Sequence, residues 1–98
     1  MFVISKDGFV IESITTAGAF NPDALAAMIT AAIGATESMG KELELGRPEI
    51  VTMEFTGSIV LVMDLGDSVL ALVADRNAVL GRLRYEMKKQ APRIRAAL

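Results

Sequence analysis

Residues 58–74 read SIVLVMDLGDSVLALVA, and this stretch decides the fold class. Its two runs, Ile59–Met63 and Val69–Val73, are apolar at every position, which predicts strands that are covered on both faces. Between them, Gly66-Asp67 predicts a tight turn. We therefore expect two antiparallel neighbours at the centre of a sheet that has a further layer on each side.

Three more strands are predicted around this pair. Glu49–Phe55 precedes it through Thr56-Gly57 and alternates only partly between apolar and polar residues, so we place it at an edge of the sheet. Phe2–Ser5 and Phe9–Ile14 flank Lys6-Asp7-Gly8, and Asp-Gly between two β-forming runs predicts a hairpin. The sheet is therefore predicted to have five antiparallel strands.

Two helices complete the predicted order β-β-α-β-β-β-α. Asn21-Pro22-Asp23 is a strong start signal, and the first helix is predicted from Pro22 to Leu43. Asp75 or Asn77 can cap a second helix that runs to Ala97. Its core side is predicted to be a single stripe in which Ala91 fills a gap between larger residues: Leu80, Leu83, Met87, Ile94 and Leu98. With 98 residues, the chain suits a single domain over residues 1–98. The predicted fold class is α+β, an α/β sandwich with one helix on each face of the sheet.

The first helix is apolar nearly all round, which predicts contacts on more than one side. Large residues at helical spacing predict the side that packs on the sheet: Leu25, Met28, Ile29, Ala32, Met39 and Leu43. Small residues form a second stripe, which we expect to contact a second copy: Ala24, Ala27, Ala31, Ala35 and Ser38. The edge strand would add three residues to this dimer interface: Ile50, Thr52 and Glu54. The remaining side is expected to face outward and bind a partner: Thr30, Ile33, Glu37 and Lys41.

The composition excludes several kinds of chemistry. The sequence has no cysteine and no histidine, which removes disulfides, thiolate zinc sites and nucleophile–histidine pairs. No phosphate-binding glycine motif is present, and the acids near turns lack EF-hand spacing. We predict no catalytic residue, no cofactor and no metal site. The absence of a long apolar segment or a signal-peptide pattern favours a cytoplasmic location without membrane insertion.

Charge is segregated along the chain. Residues 1–75 hold three bases and eleven acids, net −8, whereas residues 76–98 hold seven bases and one acid, net +6. The basic end could bind nucleic acid or an anionic membrane. A solvated helix face is the simplest interpretation, followed by docking of an acidic protein and then by nucleic acid. The spacing selects none of Arg47, Arg82 or Arg84 as an arginine finger.

The order and spacing of these segments resemble the roadblock/dynein light chain family, within it the bacterial and archaeal regulators of Ras-like GTPases. Five segments carry the resemblance: DGFVI at 7–11, the alanine-rich helix at 24–41, IVLV at 59–62, GDSVL at 66–70 and ADRNAVLGRLR at 74–84. The resemblance implies a roadblock/profilin-like fold and a homodimer whose sheet continues across both subunits. It also implies that the paired central helices dock a small Ras-like GTPase and modulate its GTP hydrolysis or localisation, with no catalytic residue supplied by this chain.

Two expectations qualify the resemblance. Family members usually begin with a helix before the hairpin, on the side of the last helix, whereas this sequence starts at the first strand. An exposed apolar patch is therefore expected on that side. The alternative function is a small-molecule-sensing or scaffold module of the profilin/longin/PAS-like type, which an apolar cavity of several hundred Å³ would favour.

Overall fold

The computed structural model describes residues 2–5, 8, 10–13 and 21–97, with side chains for residues 8 and 21–97. Its elements have the following bounds: β1 Phe2–Ser5, β2 Val10–Ser13, α1 Pro22–Glu42, β3 Ile50–Glu54, β4 Ser58–Asp64, β5 Ser68–Asp75 and α2 Leu80–Ala97. The fold is α+β, with two helices and antiparallel strands, as predicted.

All strand pairs are antiparallel. β3 pairs with β4, β4 with β5, β5 with β1, and β1 with β2, so the strands lie in the order β2-β1-β5-β4-β3. The turn between β4 and β5 closes with a hydrogen bond of 2.8 Å from the Leu65 N–H to the Ser68 carbonyl. Gly66 within it has a φ of 102°, which favours glycine. Among the described strands, β3 pairs with β4 alone and lies at an edge, as predicted.

Successive residues of β4 point to opposite faces of the sheet, and each face supports one helix. Val60 and Val62 pack in a cluster with Ile29 of α1. Leu61, between them in sequence, packs in a second cluster with Met87 of α2. Leu61 and Val62 are both almost fully buried, which explains why the run is apolar at every position.

Hydrogen bonds define both ends of α1, to a side chain at the start and within the backbone at the end. At the start, the Asn21 side-chain oxygen accepts from the N–H groups of Asp23 and Ala24 at 3.1 and 3.3 Å, as an N-cap does. At the end, Glu44 adopts a left-handed φ of 55°, and the Leu45 N–H donates to the Gly40 carbonyl at 2.8 Å. The helix therefore stops one residue before the predicted Leu43.

The prediction of the sheet-facing side of α1 is confirmed at Ile29 and Leu25, which pack in or against the core cluster, and is wrong at Met28, Met39 and Leu43, which are exposed. The buried residues of α1 are Ala26, Ile29, Ile33 and Gly40, whereas Met28 and Met39 are 63% and 52% exposed. Ala26 shares its cluster with Ala71 of β5, and neither side chain is exposed. Because the side of α1 with Ala26, Ile29 and Ile33 packs on the sheet, Met28 and Met39, which lie on another side of the helix, are turned away from it.

α2 packs on the opposite face through the predicted stripe. Met87 and Ala91 are buried in the second cluster, and Leu80, Leu83 and Ile94 pack against it half-buried. The capping prediction is wrong, because Asp75 instead closes a turn by accepting the Asn77 N–H at 2.8 Å. The helix starts after Val79, whose carbonyl accepts the Leu83 N–H at 3.1 Å.

Several predicted features fall outside the described residues. They include Lys6-Asp7, Phe9, Ile14 and Leu98. On the α2 side, where an exposed apolar patch is expected, the described strand residues are covered: Leu61 and Leu70 are buried and Leu72 is half-buried. The side chains of β1 and β2 lie outside the described residues.

Candidate functional site

The small-residue stripe of α1 lies on the exposed side of the helix. All five of its members are exposed: Ala24, Ala27, Ala31, Ala35 and Ser38. At about 3.6 residues per turn, this stripe is opposite the side formed by Ala26, Ile29 and Ile33. Small side chains make this surface smooth, so that another protein backbone can approach it.

The flanks of α1 face different edges of the sheet. A β-carbon added at Gly8 would meet the Thr30 hydroxyl at 3.8 Å, so the Thr30 flank lies beside the β1–β2 turn. Because β2 and β3 are at opposite edges of the sheet, the other flank faces the β3 edge. That flank carries the exposed Met28, Met39 and Leu43.

The edge strand divides its side chains between the two faces. Ile50 packs with the α2 cluster, whereas Val51 and Met53 pack with the α1 cluster. By alternation, the predicted residues Thr52 and Glu54 share the α2 side with Ile50. The structure therefore does not bring these three side chains together with the small-residue stripe. Val51 and Met53 share its side of the sheet, and the alternation along the strand was the signal that could have identified them.

The residues predicted to face outward occupy different environments. Ile33 is 5% exposed and belongs to the core, so its assignment to a partner-binding surface is wrong. The Thr30 hydroxyl donates to the Ala26 carbonyl at 2.8 Å and is half-buried. Glu37 is half-buried, and Lys41 is exposed. The prediction failed at Ile33 because this residue lies on the same side of the helix as Ala26 and Ile29, and that side packs on the sheet.

A groove of about 660 Å³ runs between α2 and the start of β3. Its apolar lining includes Ile50, Met63, Leu65 and Ala91, and its charged lining includes Arg47, Glu49, Asp64, Lys88 and Arg95. Arg47 and Asp64 approach to 3.4 Å, and Lys88 and Glu49 to 3.8 Å. The Arg95 Nε–H donates to the Leu65 carbonyl at 3.0 Å. The basic side chains of the groove are therefore engaged with groups of the same chain.

The described residues contain no arrangement that suggests metal chemistry. Among residues 2–5, 8, 10–13 and 21–97, no three aspartates or glutamates come together as possible ligands of an ion. Neither α1 nor α2, the two helices described, is long and apolar enough to cross a bilayer. What the surface offers instead is an apolar helix flank beside a strand edge, an arrangement suited to protein contacts.

Comparison with known proteins identifies this arrangement. The Roadblock/LC7 domain family matches residues 1–74. The chain belongs to this family. A relative, the uncharacterized protein MJ0310 of Methanocaldococcus jannaschii, is 34% identical over 94 residues, which are 96% of this chain and 82% of the relative. The family resemblance inferred from the sequence is therefore confirmed.

Solved structures agree with the roadblock fold. Myxococcus xanthus MglB has a TM-score of 0.91 and 20% identity, over 98% of this chain and 79% of MglB. A Roadblock/LC7 domain from Streptomyces avermitilis has a TM-score of 0.86 and 26% identity, over 98% of this chain and 81% of that domain. The arrangement of α1 and α2 around the sheet is thus that of the Roadblock/LC7 fold.

Proposed function

We propose that this chain forms a homodimer that docks a small Ras-like GTPase and modulates its GTP hydrolysis or localisation. Roadblock/LC7 proteins are typically regulators without a catalytic centre. The observation that carries the proposal is the row of exposed Met28, Met39 and Leu43 on the α1 flank that faces an edge strand. Apolar side chains clustered on a surface mark a site of protein contact.

The strand edge gives the dimer its geometry. If β3 pairs with β3 of a second copy in the antiparallel direction, a two-fold axis perpendicular to the sheet relates the subunits. Both α1 helices then lie on one face of the joined sheet, with the flanks that carry Met28 and Met39 turned toward each other. Both α2 helices lie on the other face. Pairing at β3 also removes an exposed strand edge, which is otherwise prone to non-specific pairing.

The α1 flank has a sequence pattern that suits such a contact. Leu25, Met28, Ala32, Ala35 and Met39 follow one another at alternating intervals of three and four residues. This spacing keeps side chains facing a neighbouring helix along its length. We place the seam between the two α1 helices on these residues, which assigns Ala35 to the dimer contact.

The outward face of the paired helices is the proposed docking surface for the GTPase. The small-residue stripe predicts Ala27 and Ser38 at the dimer contact; the seam proposed above places them instead on this outward face, with Lys41 at its margin. Because the sequence has no histidine and no cysteine, the commonest proton-transfer and nucleophilic groups are absent. The GTPase would supply its own catalytic residues, and docking would act on the position of its loops.

The groove beside α2 favours one second candidate, a small-molecule-sensing module. Its volume of about 660 Å³ is within the range of ligand sites, roughly 300–1,000 Å³. Its apolar and charged lining residues would select an amphipathic ligand. This candidate predicts that ligand binding survives when the subunits are separated, because the groove lies within one chain.

Affinity capture followed by a turnover assay tests the proposed function. The wild-type chain would be immobilised, and a lysate of the source organism applied with GTP or GDP. Any captured Ras-like GTPase would be purified, and its GTP turnover measured with and without this chain. We expect that capture of the GTPase depends on the bound nucleotide. We also expect this chain to change the rate of GTP turnover. If the rate is unchanged, we expect this chain to change the cellular position of the GTPase.

Variants of the docking face separate this result from non-specific capture. Ala27→Glu places a charge on the proposed docking face, and Ala96→Glu places the same charge on exposed α2. Loss of GTPase capture with Ala27→Glu but not with Ala96→Glu supports the proposal. Failure of the wild-type chain to bind any GTPase, or equal loss with both variants, contradicts it.

A further inference from the structure

The exposed side of α2 concentrates positive charge. The helix carries one acid, Glu86, and six exposed bases: Arg82, Arg84, Lys88, Lys89, Arg93 and Arg95. The apolar side of the helix is already occupied by the core, where Met87 and Ala91 are buried. The bases therefore form a separate outward surface, which we call the basic face.

Most of this charge is not used within the chain. Lys88 lies 3.8 Å from Glu49, and both side chains are largely exposed. An exposed pair of this kind contributes little to stability and exchanges readily for another partner. Within the part of the chain that the structure describes, four bases have no hydrogen bond or ion pair through their side chains: Arg82, Arg84, Lys89 and Arg93.

We propose that the basic face docks on the surface of an anionic phospholipid bilayer. Positive side chains near such a surface are attracted by its negative potential. The remainder of the chain is acidic, since residues 1–75 have a net charge of −8. A bilayer therefore attracts α2 and repels the rest of the molecule, which favours the orientation with α2 toward the lipid. The net charge of the whole chain, −2, does not reveal this separation of positive and negative charge.

The shape of the basic face favours a bilayer over single-stranded nucleic acid. At helical spacing, Arg84, Lys88 and Arg95 lie on one flank of α2, and Arg82, Lys89 and Arg93 on the other. The bases thus cover a convex helix on both flanks, whereas single-stranded nucleic acid binds in a basic groove with several stacking aromatics. Only one aromatic residue, Tyr85, is on α2; it is 65% exposed, and tyrosine is favoured at the level of lipid headgroups.

Bilayer docking leaves the other face of the molecule accessible. α1 and α2 cover opposite faces of the sheet, so the basic face can contact lipid while α1 points away from it. In the proposed dimer both α2 helices lie on the same face, which doubles the charge directed at the bilayer. Only this doubling rests on the proposed function, because a single chain already has the basic face.

Vesicle sedimentation tests the proposal with matched substitutions. The full chain would be mixed with vesicles of phosphatidylcholine alone, or with three parts in ten of phosphatidylglycerol, at low and high salt. Lys89→Gln removes a charge from the basic face, and Lys41→Gln removes the same charge from α1. The triple variant Arg82→Gln, Lys89→Gln, Arg93→Gln gives the size of the effect. Circular dichroism and thermal melting of each variant confirm that the fold is retained.

We expect binding to the anionic vesicles only, with release at high salt. Each removed base should weaken partitioning about fivefold and the triple substitution about 100-fold, while Lys41→Gln should bind as the wild type does. No sedimentation with anionic vesicles at low salt would overturn the proposal, as would equal losses in Lys41→Gln and Lys89→Gln. Tighter binding to a short DNA duplex than to the vesicles would also overturn it, in favour of nucleic acid. Vesicle binding without GTPase capture would contradict the proposed function alone.

Discussion

Gly40→Ala is predicted to destabilise the protein, contrary to the usual effect of such a substitution in a helix. Gly40 is buried in the last turn of α1, where a β-carbon would overlap the carbonyl oxygen of Gly46. The Leu45 N–H donates to the Gly40 carbonyl at 2.8 Å, so the loop that carries Gly46 is held against the helix. Relief of the overlap therefore requires a movement of backbone and not of a flexible side chain.

The size of the effect follows from two opposing terms. In a helix, alanine is more stable than glycine by about 1 kcal/mol. Overpacking of a close contact costs about 1–3 kcal/mol. Gly34→Ala is the matched control, because Gly34 is in the same helix and an added β-carbon there meets no atom within 4 Å. The free energy of unfolding of the two variants should therefore differ by about 1–3 kcal/mol, with Gly40→Ala the less stable.

Thermal melting followed by circular dichroism measures this difference. For a domain of this size, 1 kcal/mol corresponds to a shift of about 4–8 °C in Tm. Protein concentration must be equal in all samples, because dimer formation makes Tm depend on it. A Gly40→Ala variant that melts as high as Gly34→Ala would refute the argument, since it would mean that the loop at Gly46 yields without cost.

Three further substitutions test local features by urea unfolding. Asn21→Ala removes the acceptor at the start of α1 and should lower the free energy of unfolding by about 1 kcal/mol; an unchanged value would contradict the cap. Glu44→Gly should raise the free energy of unfolding by roughly 0.5–1 kcal/mol, because glycine adopts the φ of 55° without steric cost; a lower value would argue against strain there. Asp64→Ala should cost about 1–3 kcal/mol, because the carboxylate, only 6% exposed, accepts the Gly66 N–H at 2.8 Å. Arg47→Ala removes a side chain that is 78% exposed and should cost less than about 1 kcal/mol. Equal losses in Asp64→Ala and Arg47→Ala would contradict the view that Asp64 stabilises the protein mainly through the Gly66 N–H.

The fold could be predicted because its deciding signals are local. Two runs have no polar residue: Ile59–Met63 and Val69–Val73. Their side chains point to both faces of the sheet, so they are all buried only if a layer covers each face. The Asn21-Pro22 start signal acts through hydrogen bonds within three residues. The family resemblance depended on the order and spacing of such segments, which can be read directly from the sequence.

The side of α1 that packs on the sheet could not be predicted, because it depends on packing between residues that are far apart in the sequence. A helix with apolar residues on several sides has no single preferred orientation in sequence. Ala26, Ile29 and Ile33 pack in one cluster with residues of β4 and β5, and this contact with the sheet selects the side of the helix that also carries Gly40. Met28 and Met39 are consequently exposed, although their size suggested a place in the core. The same contact places Ile33 in the core, so that it is not available for the partner binding predicted from the sequence.

The start of α2 was missed for a related reason. Asp75 and Asn77 are both good capping residues, but the Asp75 side chain is engaged with the Asn77 N–H in the preceding turn. Val79, a poor cap by side chain, is at the helix start because the core requires Leu80 and Leu83 on its inner side. The packing of Leu80 and Leu83 therefore decided where the helix starts, and the preference of Asp75 and Asn77 for capping positions did not.

The mass of the protein in solution tests the central claim most directly. Light scattering after size exclusion would be measured for the wild type, Ala35→Glu and Ala27→Glu over a range of concentrations. Both alanines are exposed on α1, but only Ala35 is on the flank assigned to the second copy. We predict twice the chain mass of 10.5 kDa for the wild type and Ala27→Glu, and the single mass for Ala35→Glu, which would bring two unpaired charges into the seam. A monomeric wild type, or an Ala35→Glu variant that remains dimeric, would contradict the claim.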